Sequence, residues 1–166
     1  MMSINRRIFE KVTNYFSTHL KSKKLLKLIY QYVTLLVFLA YPLLLVYVLF
    51  AERDKLLKVV LVPLGTLILV TLLRKIINRQ RPYEQFETPS VFDNKTEGKS
   101  MPSRHTASAF IIAAAFTYVN PVWGAFAFAA AALIAASRIA AGSHYISDVA
   151  VAIIISMTIA YLFFFI

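Results

Sequence analysis

The chain has 166 residues, 59% of them hydrophobic, no cysteine and a formal net charge of +10. That length fits one domain over residues 1–166. The apolar fraction is too high for an ordinary soluble domain, and recurrent apolar runs of spanning length predict an all-α fold, a polytopic transmembrane helix bundle. The missing cysteines exclude disulfides, thiolate catalysis and Cys-ligated metals. In such a chain the basic balance points to anionic phospholipid head groups rather than to nucleic acid.

Residues 3–24 are polar and basic. Ile4, Ile8, Val12, Tyr15 or Phe16, and Leu20 recur at helical spacing among Arg6, Arg7 and Lys11, with Lys21, Lys23 and Lys24 following. This predicts an amphipathic helix lying in the membrane interface, with a disordered basic arm as the alternative. His19 is expected to be solvated. The first apolar stretch is too long, and its leader too polar, for a cleaved signal peptide.

Five spans follow. The first runs from about Leu25 to Phe50 and ends at the charged turn Glu52-Arg53-Asp54-Lys55; the second runs from about Leu57 to Ile77. Residues 78–101 hold Pro82, Pro89 and Gly98 and read as a polar loop. The third span starts near Pro102 and ends near Val119, before the tight turn Asn120-Pro121. The fourth covers about Val122 to Ala141, with Trp123 as an interfacial anchor and an alanine-rich packing face. Gly142-Ser143 breaks it, and the fifth runs from about His144 to a lipid-facing, Phe-rich end. A dip of the N-terminal helix through the membrane would make a sixth.

Between Thr106 and the C-terminus, tyrosines aside, only Arg138, His144 and Asp148 carry ionisable side chains. Ionisable groups in membrane segments are costly and usually functional. Antiparallel spans with short turns bring them to the same face as two other polar clusters, Arg74–Pro82 and Ser100–His105. His144 and Asp148 are four apart and would share a helix face, with His144 at the positive end of the fifth span. Asp148 can then accept from one ring nitrogen and leave the other as a nucleophile. Arg138 offers a planar fork for phosphate oxygens. An Arg–Asp pair with an incidental histidine is the competing reading, although buried ion pairs are costly.

In Ser100-Met101-Pro102-Ser103-Arg104-His105 the proline suits the first helical position, and the N–H groups after it form an anion site. Ser103 and Arg104 add donors, and His105 can protonate a leaving alkoxide. Taken alone, the stretch also reads as a capped helix start. Arg74 and Arg81 are seven apart, and Pro82 biases Arg81 away from helical geometry, so two guanidinia can converge from a helix and a bend. Taken alone, that cluster is an ordinary cationic helix flank.

Together the three clusters resemble the type-2 phosphatidic acid phosphatases, membrane enzymes that share a phosphate site with vanadium haloperoxidases. That family's motifs are K-x6-R-P, P-S-G-H and S-R-x5-H-x3-D. Ser137, Arg138, His144 and Asp148 meet the third in full. Pro102, Ser103 and His105 meet the second, with Arg104 in the glycine's place. Arg81 and Pro82 meet the first, with Arg74 in the lysine register and Lys75 one residue late as the alternative.

The resemblance implies that His144 is the nucleophile and forms a phosphohistidine, that Asp148 orients it, and that His105 is first acid and then base. It implies that Arg74, Arg81, Ser103 and Arg138 hold phosphate, while Arg104 either crowds the site or binds a second phosphate. No metal or other cofactor is expected: Asp148 is the only acidic side chain beyond Gly98, and no carboxylate pair suggests Mg²⁺.

The compact form most resembles bacterial phosphatidylglycerophosphate phosphatases, with undecaprenyl diphosphate phosphatase, or both activities in one enzyme, as the alternative. A transporter or basic membrane scaffold is the reading from another class, but a transporter places polar groups near mid-membrane rather than at helix ends. The expected partners are a lipid phosphate and membrane phospholipids, with no obligate protein partner evident. Localisation is multi-pass in the cell membrane. The basic N-terminus argues for a cytoplasmic site, whereas the resemblance implies the outer face, which is the expectation carried forward.

Overall fold

The computed structural model describes residues 2–92 and 96–166, and their side chains except those of residues 2–5 and 8. Ile4 and Ile8 of the amphipathic pattern therefore lie outside the described side chains. Helix α1 covers Met2–Thr18. His19 breaks the chain there in extended backbone, its ring stacked on Tyr15 at 4.5 Å. Leu20 onward belongs to the next helix, so the basic segment ends earlier than its charge pattern suggests.

That next helix is continuous from Leu20 to Ala51. It comprises α2 (Leu20–Lys27), a π-helical stretch over Leu28–Val33 and α3 (Thr34–Ala51). Helix α4 spans Leu56–Ile77 and stops at Asn78, which takes a left-handed conformation. A four-residue helix α5, Pro82–Gln85, lies in the polar loop. Three further helices follow: α6 (Arg104–Val119), α7 (Pro121–Ala140) and α8 (Ile146–Ala160), the last continued by a π turn to Phe165. Asn120 caps α7 by accepting from the N–H groups of Val122 and Trp123, with Pro121 in the first turn where its missing N–H costs nothing.

Among the described residues four helical segments are long and apolar enough to cross a membrane: Leu20–Ala51, Arg53–Gln85, Pro121–Ala140 and Ile146–Phe165. The sequence reading has five. The remaining one, α6, has only 16 residues and is the central helix of the bundle, packed against α3, α4, α7 and α8. Its buried side chains are mostly small, including Ala107, Ala109 and Ala113–Ala115. Small residues let helix backbones approach closely. At Gly124 of α7 the approach is tightest: a Cβ there would lie 2.0 Å from Thr117 Oγ1.

The alanine-rich face of α7 packs only in part. Ala131 and Ala135 are buried, whereas Ala129, Ala132 and Ala136 are exposed. Leucines dominate the outward faces of α3 and α4, including Leu35, Leu36, Leu39, Leu43, Leu57 and Leu61. With no water to satisfy, such surfaces suit lipid. At the C-terminus Phe163 and Phe165 face outward, but Phe164 is buried and stacks on Tyr118.

Candidate active site

Three segments meet at one end of the bundle: the end of α4 with the loop after it, the start of α6, and the α7–α8 connection. Backbone bonds tie them together. Ser100 N–H donates to the Arg79 carbonyl at 2.9 Å, and Ser103 N–H donates to the Asp148 carbonyl at 3.0 Å. The polar loop folds back over them. Val91 N–H donates to the Ala141 carbonyl, Gly98 N–H to Glu84 Oε1 at 2.6 Å, and the Tyr83 hydroxyl to the Thr96 carbonyl.

The α7–α8 connection carries His144. The Arg138 carbonyl at the end of α7 accepts from the N–H groups of Ser143 and His144. Gly142 has φ +71°, and a Cβ there would sit 2.6 Å from the Phe9 ring and 2.7 Å from Thr13 of α1. Only glycine meets both demands, so α1 packs directly on the turn that presents the histidine. Helix α8 begins at Ile146, later than the sequence suggests. Tyr145 is its N-cap, and Tyr145 N–H donates to Asp148 Oδ2 at 3.0 Å, a capping-box bond. His144 therefore precedes the helix instead of sharing its face with Asp148, and its Nδ1 lies 3.6 Å from Asp148 Oδ2. Similarly α6 begins at Arg104 with Ser103 as N-cap, so Pro102 lies outside the helix and not at its first position.

Asp148 is fully buried, and His144 is 4% exposed. Arg79 Nη1 holds Asp148 Oδ1 at 2.8 Å, and Ser100 Oγ donates to Oδ2 at 2.5 Å. The Arg79 guanidinium also lies over the Tyr145 ring at 4.0 Å. Burial holds the His144 imidazole below its ordinary value; Asp148 opposes that, while Arg81 and Arg74 assist it. Burial pushes the Tyr145 phenol up to about 12, so it stays protonated and donates to Gln85 Oε1.

Three arginines are buried around this pair: Arg74 and Arg81 at 8% exposure and Arg138 at 3%. The partners of their guanidinia are neutral. Arg74 Nη1 donates to the Pro102 carbonyl at 3.0 Å, and Arg81 donates to the carbonyls of Gly98 and Ser143. Arg138 Nη2 donates to the Tyr30 carbonyl at 3.0 Å and to Thr34 Oγ1 at 2.7 Å, with its guanidinium 3.8 Å from the centre of the Tyr30 ring. Among the described residues none of the three pairs with a carboxylate, and Arg138 Nε is the one buried side-chain polar atom without a hydrogen-bond partner. Arg81 stands in extended backbone immediately before α5; the proline after it excludes the helical region, as its sequence implies.

The other sequence candidates divide by exposure. Ser103 is buried and its Oγ accepts from Thr106. His105, in the first turn of α6, is half-buried and within electrostatic range of Arg138, His144, Arg104 and Arg74. Arg104 and Lys75 are exposed. Arg79, Tyr30 and Thr34 are not named in the sequence reading, and Ser100 is named there only as the first residue of its cluster, with no role; all four touch its central residues. Among the described residues no three His, Cys, Asp or Glu side chains cluster as metal ligands would.

Buried cations that form no ion pair with a described carboxylate, beside a buried imidazole, can receive an anion of high charge. Comparison with known proteins gives this arrangement relatives. The chain is similar to the crystal structure of LpxE from Aquifex aeolicus, with 26% identity and a TM-score of 0.76, over 96% of this chain and 93% of that one. It has the fold of a PAP2-type phosphatidylglycerolphosphate phosphatase from Bacillus subtilis, at 19% identity and a TM-score of 0.76, over 97% of this chain and 83% of that one. No curated protein sequence matches it. The sequence profile of the PAP2 superfamily matches residues 55–166, a stretch that holds every polar group of the site except Tyr30 and Thr34, and the chain belongs to that superfamily.

Proposed function

We propose that this protein is a lipid phosphate phosphatase that removes a terminal phosphomonoester through a phosphohistidine, with phosphatidylglycerophosphate as substrate and phosphatidylglycerol as product. The observation that carries the reading is the set of three buried guanidinia whose partners among the described residues are carbonyls, a hydroxyl and an aromatic ring. A phosphate dianion supplies the missing charge, and Arg138 Nε offers a donor that no described residue uses. Buried Arg74 rather than exposed Lys75 then occupies the lysine place of the first motif.

In this mechanism phosphate lies among Arg74, Arg81, Ser103 and Arg138. The free ring nitrogen of His144 attacks phosphorus in line, and the P–O bond to the lipid alkoxide breaks as His105 gives the alkoxide a proton. His105 then takes a proton from water, which attacks the phosphohistidine and releases inorganic phosphate. The arginines neutralise charge spread over the equatorial oxygens, the role a metal fills elsewhere.

A site at helix ends meets lipid head groups at the membrane surface. Arg104 is exposed at the start of α6 and within electrostatic range of Arg74. That placement suits a second phosphate group, the internal diester of phosphatidylglycerophosphate or the inner phosphate of a polyprenyl diphosphate. Phosphate release by purified protein from a panel holding both lipids, with and without excess chelator, tests the reading. Release from phosphatidylglycerophosphate should persist in chelator, be inhibited by vanadate and vanish in His144→Ala. Turnover of the polyprenyl diphosphate alone would replace the substrate assignment, and an active His144→Ala protein would remove the phosphohistidine.

A further inference from the structure

The acidic partner of His144 is not within hydrogen-bond reach of it. Nδ1 and Asp148 Oδ2 are 3.6 Å apart, beyond useful bonding distance. The carboxylate is also held elsewhere: Oδ1 accepts from Arg79, and Oδ2 accepts from Tyr145 N–H and from Ser100 Oγ. Ser100 lies between the two groups. Its Oγ is 2.5 Å from Asp148 Oδ2 and 3.4 Å from His144 Nδ1, and the residue is fully buried. Its position is fixed by the bond from its own N–H to the Arg79 carbonyl at 2.9 Å.

Counting protons assigns the roles. A hydroxyl has one hydrogen and two lone pairs, and an ionised carboxylate can only accept. The Ser100 hydrogen therefore goes to Asp148, and toward the histidine Ser100 can only accept. Nδ1 must then carry the ring hydrogen, which leaves the lone pair on Nε2. We infer that Ser100 is a positioning residue for the nucleophile, relaying Asp148 to His144 through its hydroxyl and fixing the Nδ1–H tautomer. This rests on the proposed phosphohistidine chemistry, in which Nε2 bonds to phosphorus, the P–O bond to the leaving group breaks, and Nδ1 keeps its hydrogen throughout. The positive charge that develops on the phosphorylated ring is then met by the Ser100–Asp148 pair.

The test combines kinetics with ¹⁵N NMR of histidine-labelled protein in detergent, the His144 signal being assigned by its loss in His144→Gln. Wild-type protein should show His144 as the Nδ1–H tautomer alone. Ser100→Ala removes one hydroxyl without adding atoms. It should lower kcat on phosphatidylglycerophosphate about ten- to a hundredfold, the range for one hydrogen bond to a charged group. KM should change less than about threefold, since the hydrogen bonds of Ser100 go to His144, Asp148 and the Arg79 carbonyl rather than to the proposed phosphate-binding side chains. The His144 signal should become a mixture of tautomers. A wild-type Nε2–H tautomer would overturn the relay, as would a Ser100→Ala protein that keeps both tautomer and kcat. If wild-type protein releases phosphate from no lipid, the functional reading fails, and the tautomer measurement still decides the role of Ser100.

Discussion

Replacing Arg74 by alanine tests the proposed phosphate cradle at one of the two positions where the sequence departs from the family pattern. Arg74 is buried and bonded to the Pro102 carbonyl at 3.0 Å; Lys75, one residue on, is exposed. A hydrogen bond to a charged group contributes about 1.5–3 kcal/mol, so losing one from Arg74 to phosphate should lower kcat/KM roughly 10–150-fold. Lys75→Ala, a surface change, should stay within about 0.5 kcal/mol, or roughly twofold. Stability should separate from activity. Arg74→Ala loses the bond from the charged guanidinium to Pro102, worth about 1.5–3 kcal/mol, but relieves repulsion from Arg81 and Arg104 and the cost of burying a charge. The melting temperature in detergent should therefore move by only a few degrees in either direction. Arg74→Lys should recover part of the activity, because it restores charge without the planar fork. Malachite-green phosphate release with purified variants is sufficient. Greater damage from Lys75→Ala, or full activity in Arg74→Ala, would refute the assignment of Arg74 to the phosphate site.

The acid limb of kcat/KM should fall below pH 6.5 once the substrate's own ionisation near pH 6 is removed from the profile. The sign follows from His144 being held below its ordinary value by burial: the neutral, attacking ring survives as pH falls until that lowered value is passed; a limb at or above pH 7 would contradict it. The absence of native cysteine allows single-cysteine mapping of orientation. Exposed Glu97→Cys in the site loop should react with an impermeant maleimide on intact cells, and exposed Asp54→Cys at the other end only after permeabilisation; the reverse pattern would put the site on the cytoplasmic face. His105→Ala should lose about 10²–10⁴-fold on a lipid phosphate. With a nitrophenyl phosphate, whose leaving group needs no proton, it should give a burst followed by slow turnover; equal losses on both substrates without a burst would remove the acid–base role.

The all-helical bundle was legible because apolar periodicity and length are local properties. Helix ends were less so, and for physical reasons. Tyr145 rather than His144 stands at the start of α8, because the bond from Tyr145 N–H to Asp148 sets the first turn. The sequence pattern shows a glycine break but not which residue caps it. Pro102 falls outside α6 because Ser103 takes the N-cap position. The central helix has only 16 residues, and its role comes from being surrounded by other helices, which no run of hydropathy records. His19 is exposed, as the sequence suggests, and stands at the break between α1 and the long helix.

The site divides along the same line. Arg74, Arg81, Arg138, His144 and Asp148 were readable because charge is rare in this chain and its spacing is characteristic. Their supports were not, because they depend on contacts between segments far apart. Thr34 lies 104 residues from Arg138, and the π-helical stretch before it carries Tyr30, whose carbonyl and ring both meet the guanidinium. A π-helical segment shifts which groups face a neighbouring helix, and such segments recur at functional sites. The choice of supports has a consequence. A carboxylate beside Arg138 would neutralise it and occupy the donors that the proposed phosphate site needs. Carbonyl oxygens, a hydroxyl and a ring face hold the cation in place without cancelling its charge, so the cluster stays positive. The one buried carboxylate in the cluster, Asp148, is paired with Arg79 and Ser100 and not with these three arginines. Arg79 therefore separates the two requirements: it balances the charge of Asp148, and the cations around His144 keep theirs, as the proposed reaction requires.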